Sequence, residues 1–183
     1  MTKSVDSFPD ISQEGHDRLC WAAVALGVDR WRHPASTWTL CRVVVDTPVG
    51  AAQPSTAACC NGLSTAACNH LGVLFNALRV QNLQAVGIRG LPRALPHPMK
   101  AVQMDAVWND FKTEIDQNRV VCVGINWHGG GYHYVVVWGY NEDGADRTIY
   151  VKDPLFPNSS PPFEQFVSNY RLAGDLSEVD HVA

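Results

Sequence analysis

The hydrophobic pattern changes period near residue 100, and that change decides the class of fold. Before it, apolar residues recur at helical spacing. Trp21, Val24, Ala25 and Val28 predict a helix over 20–31, and Leu71, Leu74, Phe75 and Leu78 predict another over 71–82. Asp17, three residues ahead of Cys20, is placed to cap the first. Residues 34–69 are rich in Ala, Ser, Thr and Pro without a sustained period, and read as loops and short turns. Pro92, Pro96 and Pro98 mark 90–98 as a linker or crossover. Residues 104–117 are amphipathic, with Val107, Trp108, Phe111 and Ile115 on one side. Then β-branched runs take over, predicting strands over 120–126, 133–140 and 147–153. The first two are joined through Gly129-Gly130-Gly131, and a turn falls at 141–144. Strands joined by short turns run antiparallel. The expected fold is α+β: a helical half over about 11–100 and an antiparallel β half over about 101–175, with a cleft between them. At 183 residues the chain suits a single domain, 1–183.

Charge and hydropathy exclude several functions. Fourteen basic residues against eighteen acidic ones leave a formal charge of −4 and no basic stripe, so nucleic acid is not an expected partner. The longest apolar runs, such as 135–138, fall far short of the roughly 20 residues a spanning helix needs, so no membrane is expected either. Residues 1–10 contain no apolar signal region. The expected location is the cytoplasm, or a target cell reached through a specialised secretion system. A domain excised from a longer chain would read the same way.

Four residues in the order Gln13, Cys20, His133, Asp153 carry the sharpest chemistry. Cysteine-based acyl transfer needs a thiolate, a base to hold it, a group to orient the base, and donors for the oxyanion. Cys20 opens a predicted helix, whose start carries partial positive charge and favours a thiolate. His133 opens a strand just after the glycines, and Asp153 ends the next strand. In an antiparallel pair those two ends lie side by side, so Asp153 is placed to bond one ring nitrogen of His133. Gln13, just ahead of the helix, can supply an amide donor alongside the Cys20 N–H. Taken singly, each has an ordinary alternative: a buried thiol, a turn histidine, a strand stop. His128, five residues earlier in the glycine connection, is the alternative base. His16 lies near Cys20 and reads as a rim or solvated residue, and His33, His70, His97 and His181 read as loop residues.

The remaining cysteines read differently. Cys122, within Val120-Val121-Cys122-Val123, is a packed thiol. Cys41, Cys59, Cys60 and Cys68 occupy the loop-rich stretch. Adjacent Cys59 and Cys60 do not match the C-x₂₋₄-C spacing of a structural zinc site. Free thiols or disulfides are the expectation, with three pairings open, and the cytosol would keep them reduced.

The segment Gln13…Cys20-Trp21-Ala22-Ala23-Val24 resembles the nucleophile region of bacterial papain-like cysteine peptidases of the AvrRpt2 type. The resemblance continues through Pro34-Ala35-Ser36-Thr37-Trp38-Thr39-Leu40-Cys41, Cys59-Cys60-Asn61 and Cys68-Asn69. It resumes at Gly130-Gly131-Tyr132-His133-Tyr134-Val135-Val136-Val137 and at Val151-Lys152-Asp153-Pro154. It implies a papain-like fold with Cys20 as nucleophile, His133 as general base and acid, Asp153 as orienting residue and Gln13 at the oxyanion. It also implies that no metal or organic cofactor is needed. Trp127 would wall the cleft beside His133, or simply pack in the sheet. Two departures stand out: Tyr132, where a smaller residue is frequent, would narrow the cleft, and 143–146 would lengthen the last hairpin. The family implies a protein substrate, delivery as an effector or toxin, and a cognate immunity or inhibitor protein where the target is a rival bacterium. Two other readings remain: a transglutaminase-like or deamidating Cys-His-Asp enzyme, and a non-catalytic protein-binding module.

Overall fold

The computed structural model describes residues 1–48, 55, 59–61, 67–87 and 94–182. Much of the 34–69 stretch and part of the 90–98 crossover lie outside the described residues. The chain forms two compact units, one of residues 8–85 with 154–156, the other of 1–7, 86–153 and 157–183.

In the helical unit, α1 (Cys20–Arg32), α2 (Leu40–Asp46) and α3 (Leu74–Val80) are the described helices. Helix α1 is apolar on every side from Cys20 to Val28, and every residue from Cys20 to Asp29 is buried, as such a stretch requires. The expected cap does not form. Leu19 takes the N-cap position without a side-chain bond, while the Asp17 carboxylate accepts from Asn69 Nδ2 at 2.6 Å. Asn69 Oδ1 in turn accepts the Arg18 N–H at 3.1 Å. Trp21 donates from Nε1 to the His70 carbonyl at 3.1 Å and stacks on the His70 ring. Residues 69–70 therefore fix where α1 begins. Helix α2 lies where the sequence predicts only loops and turns. Seven residues are too few to show a period, and the signal is Thr39, whose Oγ1 accepts the Arg42 N–H.

Two disulfides, Cys41–Cys60 and Cys59–Cys68, join α2 and residues 67–69 to one dipeptide. Cys20 and Cys122 remain thiols.

The β unit is a six-stranded sheet with β1 (Thr2–Ser4), β2 (Ala85–Gly87), β3 (Val121–Trp127), β4 (Tyr132–Asp143), β5 (Asp146–Lys152) and β6 (Gly174–Val182). The order is β1-β4-β3-β6-β2, with β5 on the other edge of β4. The described ladders are antiparallel. The three predicted strands appear with β4 longer than expected. Asp143 pairs with Asp146, so the last hairpin turns on Gly144-Ala145 alone and is short, not long.

Helix α4 (Ala101–Asp116) buries Val107, Trp108, Phe111 and Ile115, the predicted stripe, and α5 (Phe163–Asn169) buries Phe163, Phe166 and Val167. Trp108 meets Phe163 at 5.1 Å and Tyr140 at 5.7 Å between ring centroids. The architecture is α+β, with five helices among the described residues, and is compatible with a papain-like fold. None of those helices is long and apolar enough to cross a membrane.

Candidate active site

The candidate residues fall in both units, Gln13 and Cys20 in the helical one, His133 and Asp153 in the β one. In the helical unit, Cys20 is the first residue of α1 and is 4% exposed. The first intrahelical bond runs from Ala23 N–H to the Leu19 carbonyl, so the N–H of Cys20 precedes the ladder and has no intrahelical acceptor. Gln13 is buried at 1% exposure. Its Nε2 donates to the His16 carbonyl, its own carbonyl accepts the His16 N–H at 3.0 Å, and its N–H donates to the Pro154 carbonyl at 3.1 Å. The side chain is thus set in a tight turn, with one amide hydrogen already engaged.

In the β unit, His133 lies at the start of β4, and Asp153 directly follows β5. The hairpin brings them together: His133 Nε2 bonds Asp153 Oδ1 at 2.8 Å, with both residues buried. His128, by contrast, is exposed on the turn, with Nε2 3.0 Å from Asp175 Oδ1. The turn itself closes through Trp127 N–H to the Gly131 carbonyl, and Gly130 and Gly131 both take positive φ, which glycine adopts without a side-chain clash.

Three neighbours complete the cluster, and two of them do not emerge from the sequence. Trp127 stacks on His133 with ring centroids 5.5 Å apart and planes at 23°. Tyr170 donates its hydroxyl to Asp153 Oδ2 at 2.8 Å. Arg171 Nε lies 3.3 Å from the same oxygen and 3.2 Å from the Tyr170 hydroxyl. Burial raises the Tyr170 phenol, and the charge of Asp153 raises it further, so it is a proton donor at any physiological pH. A carboxylate with donors on both oxygens is held as the anion in a buried setting. It can orient an imidazole that carries its proton on Nε2. The signal for Tyr170 and Arg171 is weak: two residues beyond a short helix, seventeen and eighteen after Asp153.

Tyr132 turns away from this cluster. Its hydroxyl donates to Glu178 Oε2 at 2.7 Å and accepts from Ser177 Oγ at 3.2 Å, over the bare face of Gly124. Cys122 is packed in β3, where burial pushes its thiol well up and out of reach of the thiolate form. His181, read as a loop residue, is instead buried in β6 between two carboxylates of α4. Its Nε2 lies 2.9 Å from Asp110 and its Nδ1 lies 3.2 Å from Glu114.

Residues 90–178 match the model of the Peptidase_C39 like family. The matched segment is similar to cysteine peptidases and contains Trp127, His133, Asp153, Tyr170 and Arg171. It starts after Gln13 and Cys20. No curated protein matches the chain.

Proposed function

We propose that the protein is a papain-like cysteine endopeptidase. The observation that carries this reading is the buried His133–Asp153 hydrogen bond, set within a segment that matches a cysteine-peptidase family. Cys20 supplies the nucleophile. Its thiolate attacks a peptide carbonyl of a protein substrate while His133 is the imidazolium, held through Nε2 by Asp153. The developing oxyanion takes the Cys20 N–H and the second amide hydrogen of Gln13. Collapse of the tetrahedral adduct breaks the C–N bond, and the His133 Nδ1 proton goes to the leaving amine. The acyl group is then on sulfur. Neutral His133 takes a proton from water, the hydroxide attacks the thioester, and the released acid restores thiolate and imidazolium. No step calls on a metal or organic cofactor.

The finer reading is an AvrRpt2-type effector or toxin acting on a protein in another cell, with a cognate immunity protein in the producer. The two disulfides support delivery, because such bonds form and persist in oxidising surroundings outside the cytosol.

The test compares new protein N-termini in target cells exposed to the wild-type protein and to Cys20→Ala. New termini with the wild type alone support an endopeptidase. Loss of activity in Cys20→Ala should be complete, and His133→Ala should come close to it, on the order of 10³-fold or more. Identical termini in both samples overturn the reading. A shift of about one dalton at a substrate side-chain amide, without cleavage, replaces it with a deamidase.

A further inference from the structure

Tyr170 occupies an unusual position around His133. Four side chains form a closed circuit: His133 bonds Asp153, Asp153 accepts from Tyr170, Tyr170 stacks on Trp127, and Trp127 stacks on His133. Tyr170 is the member opposite His133, and it reaches the imidazole along two routes. Its hydroxyl fixes the Asp153 carboxylate through Oδ2 while Oδ1 accepts the hydrogen bond from His133 Nε2. Its ring lies against the Trp127 indole at 6.3 Å and 18°, and that indole also stacks on the imidazole.

The backbone around Tyr170 is built to hold it there. Tyr170 N–H donates to the Gly174 carbonyl at 2.6 Å, and Gly174 N–H returns to the Tyr170 carbonyl at 3.1 Å. Between them, Arg171 and Leu172 are consecutive non-glycine residues at φ 52° and 60°. L-residues avoid that region, and it persists where the surroundings over-determine it. The left-handed turn sends Arg171 back over the Tyr170 hydroxyl, where its guanidinium also reaches the Pro157 carbonyl at 2.5 Å. Leu172, on the same turn, is largely exposed, so the unusual backbone does not serve to bury it.

We propose that Tyr170 is a positioning residue that fixes the rotation and the tautomer of His133, acting through Asp153 by its hydroxyl and through Trp127 by its ring. The role rests on the peptidase reading only for its consequence in catalysis; the positioning itself is a property of the β unit.

The experiment is ¹⁵N NMR of the His133 ring across a pH titration, made in the Cys20→Ala protein so that no thiolate contributes. The parent shows neutral His133 with its proton on Nε2. Tyr170→Phe keeps the ring and removes the hydroxyl, and should give a mixed Nε2–H and Nδ1–H population with the His133 midpoint moved upward. A carboxylate relieved of one donor holds the imidazolium more strongly. Arg171→Asn, which suits the left-handed backbone and leaves Tyr170 intact, should move both readouts the same way by less, and it decides the matter if Tyr170→Phe does not fold. Unchanged tautomer and midpoint in a folded Tyr170→Phe protein, or in Arg171→Asn where it alone folds, overturn the proposal. In the protein carrying Cys20, Tyr170→Phe should lower kcat roughly tenfold with KM unchanged, a part of what general acid–base catalysis supplies. A chain without peptidase activity but with the NMR shifts would refute the proposed function and leave the positioning role standing.

Discussion

The helical unit and the β unit hold their candidate residues by different physics. Around Cys20 the chain is fixed from outside the helix: Asn69 holds Asp17 and the Arg18 N–H, His70 holds Trp21, and disulfides anchor the segment that carries them. Around His133 the pairing of β4 with β3, and further along with β5, does the work, and side-chain bonds and stacked rings refine it. A nucleophile at a helix start needs an open turn of N–H groups, so its surroundings must be supplied by loops, which gain order from covalent ties. A base at a strand end inherits order from its hairpin.

This contrast is sharpest in what removal of the ties should do. Replacing Cys59 and Cys68 together by Ala opens a link with a sequence separation of 9. It should destabilise the helical unit by about 2–3 kcal/mol on the loop-entropy scale. Opening Cys41–Cys60, at a separation of 19, should cost about 0.6 kcal/mol more. Hydrogen exchange reads this region by region: amides of α1 should lose protection while those of β3 keep theirs. Equal loss in both would show that the two regions unfold as one and would break the comparison.

A matched pair of glycines probes packing in each unit. A Cβ on Gly72 would sit 2.3 Å from the buried Trp21 ring, and one on Gly124 would sit 1.9 Å from the tethered Tyr132 hydroxyl. Trp21 is buried, and the Tyr132 hydroxyl is tied to Glu178 and Ser177. Gly72→Ala and Gly124→Ala should each cost about 1–3 kcal/mol in denaturant unfolding. A neutral Gly124→Ala would show that the Tyr132–Glu178–Ser177 cluster is looser than its bonds imply.

The smallest effect is a pH dependence confined to the β unit. Burial pushes His181 down, but the carboxylates of Asp110 and Glu114 beside it outweigh that and raise the imidazole above its usual range. Burial pushes the Glu114 carboxyl up, and the Arg119 hydrogen bond with the His181 charge holds it below its usual range. A raised imidazole stabilises the fold fully below the ordinary histidine value, and that contribution is lost as pH rises through the folded-state value. A lowered carboxyl contributes above the ordinary glutamate value and is lost as pH falls through its folded-state value. Melting temperature should therefore fall as pH rises above the ordinary histidine range. His181→Gln should flatten that limb, and an unaltered limb would assign it elsewhere.

How much of this was written in the sequence depends on range. The period change near residue 100, the stripe of α4 and the three hairpin strands are local patterns, and they appear within a few residues of where they are expected. The adjacency of His133 and Asp153 follows from chain order in one hairpin. Strand β6 was not legible, because Asp175, Glu178, Asp180 and His181 break its apolar pattern. They are accommodated by long-range partners such as Asp110 and Glu114 for His181. Strand β1 has three exposed residues and is a strand only because β4 outruns β3 and leaves an edge for it. Asp17 looked like a cap because nothing nearby reveals Asn69, fifty-two positions on. Tyr170 and Arg171 escaped for the same reason: their meaning lies in the two αL residues that turn the chain back on Asp153.

The vicinal pair Cys59-Cys60 makes the helical unit branched: three stretches of chain meet at one dipeptide. Exchanging the partners of the two sulfurs would give Cys41–Cys59 with Cys60–Cys68, an isomer of identical composition. Proteolysis leaves the same cross-linked fragment in either case, unless the chain is cut between the neighbours. Mass alone is therefore blind to mispairing here, and stepwise reduction with alkylation between steps is what tells the native branch from its mirror arrangement.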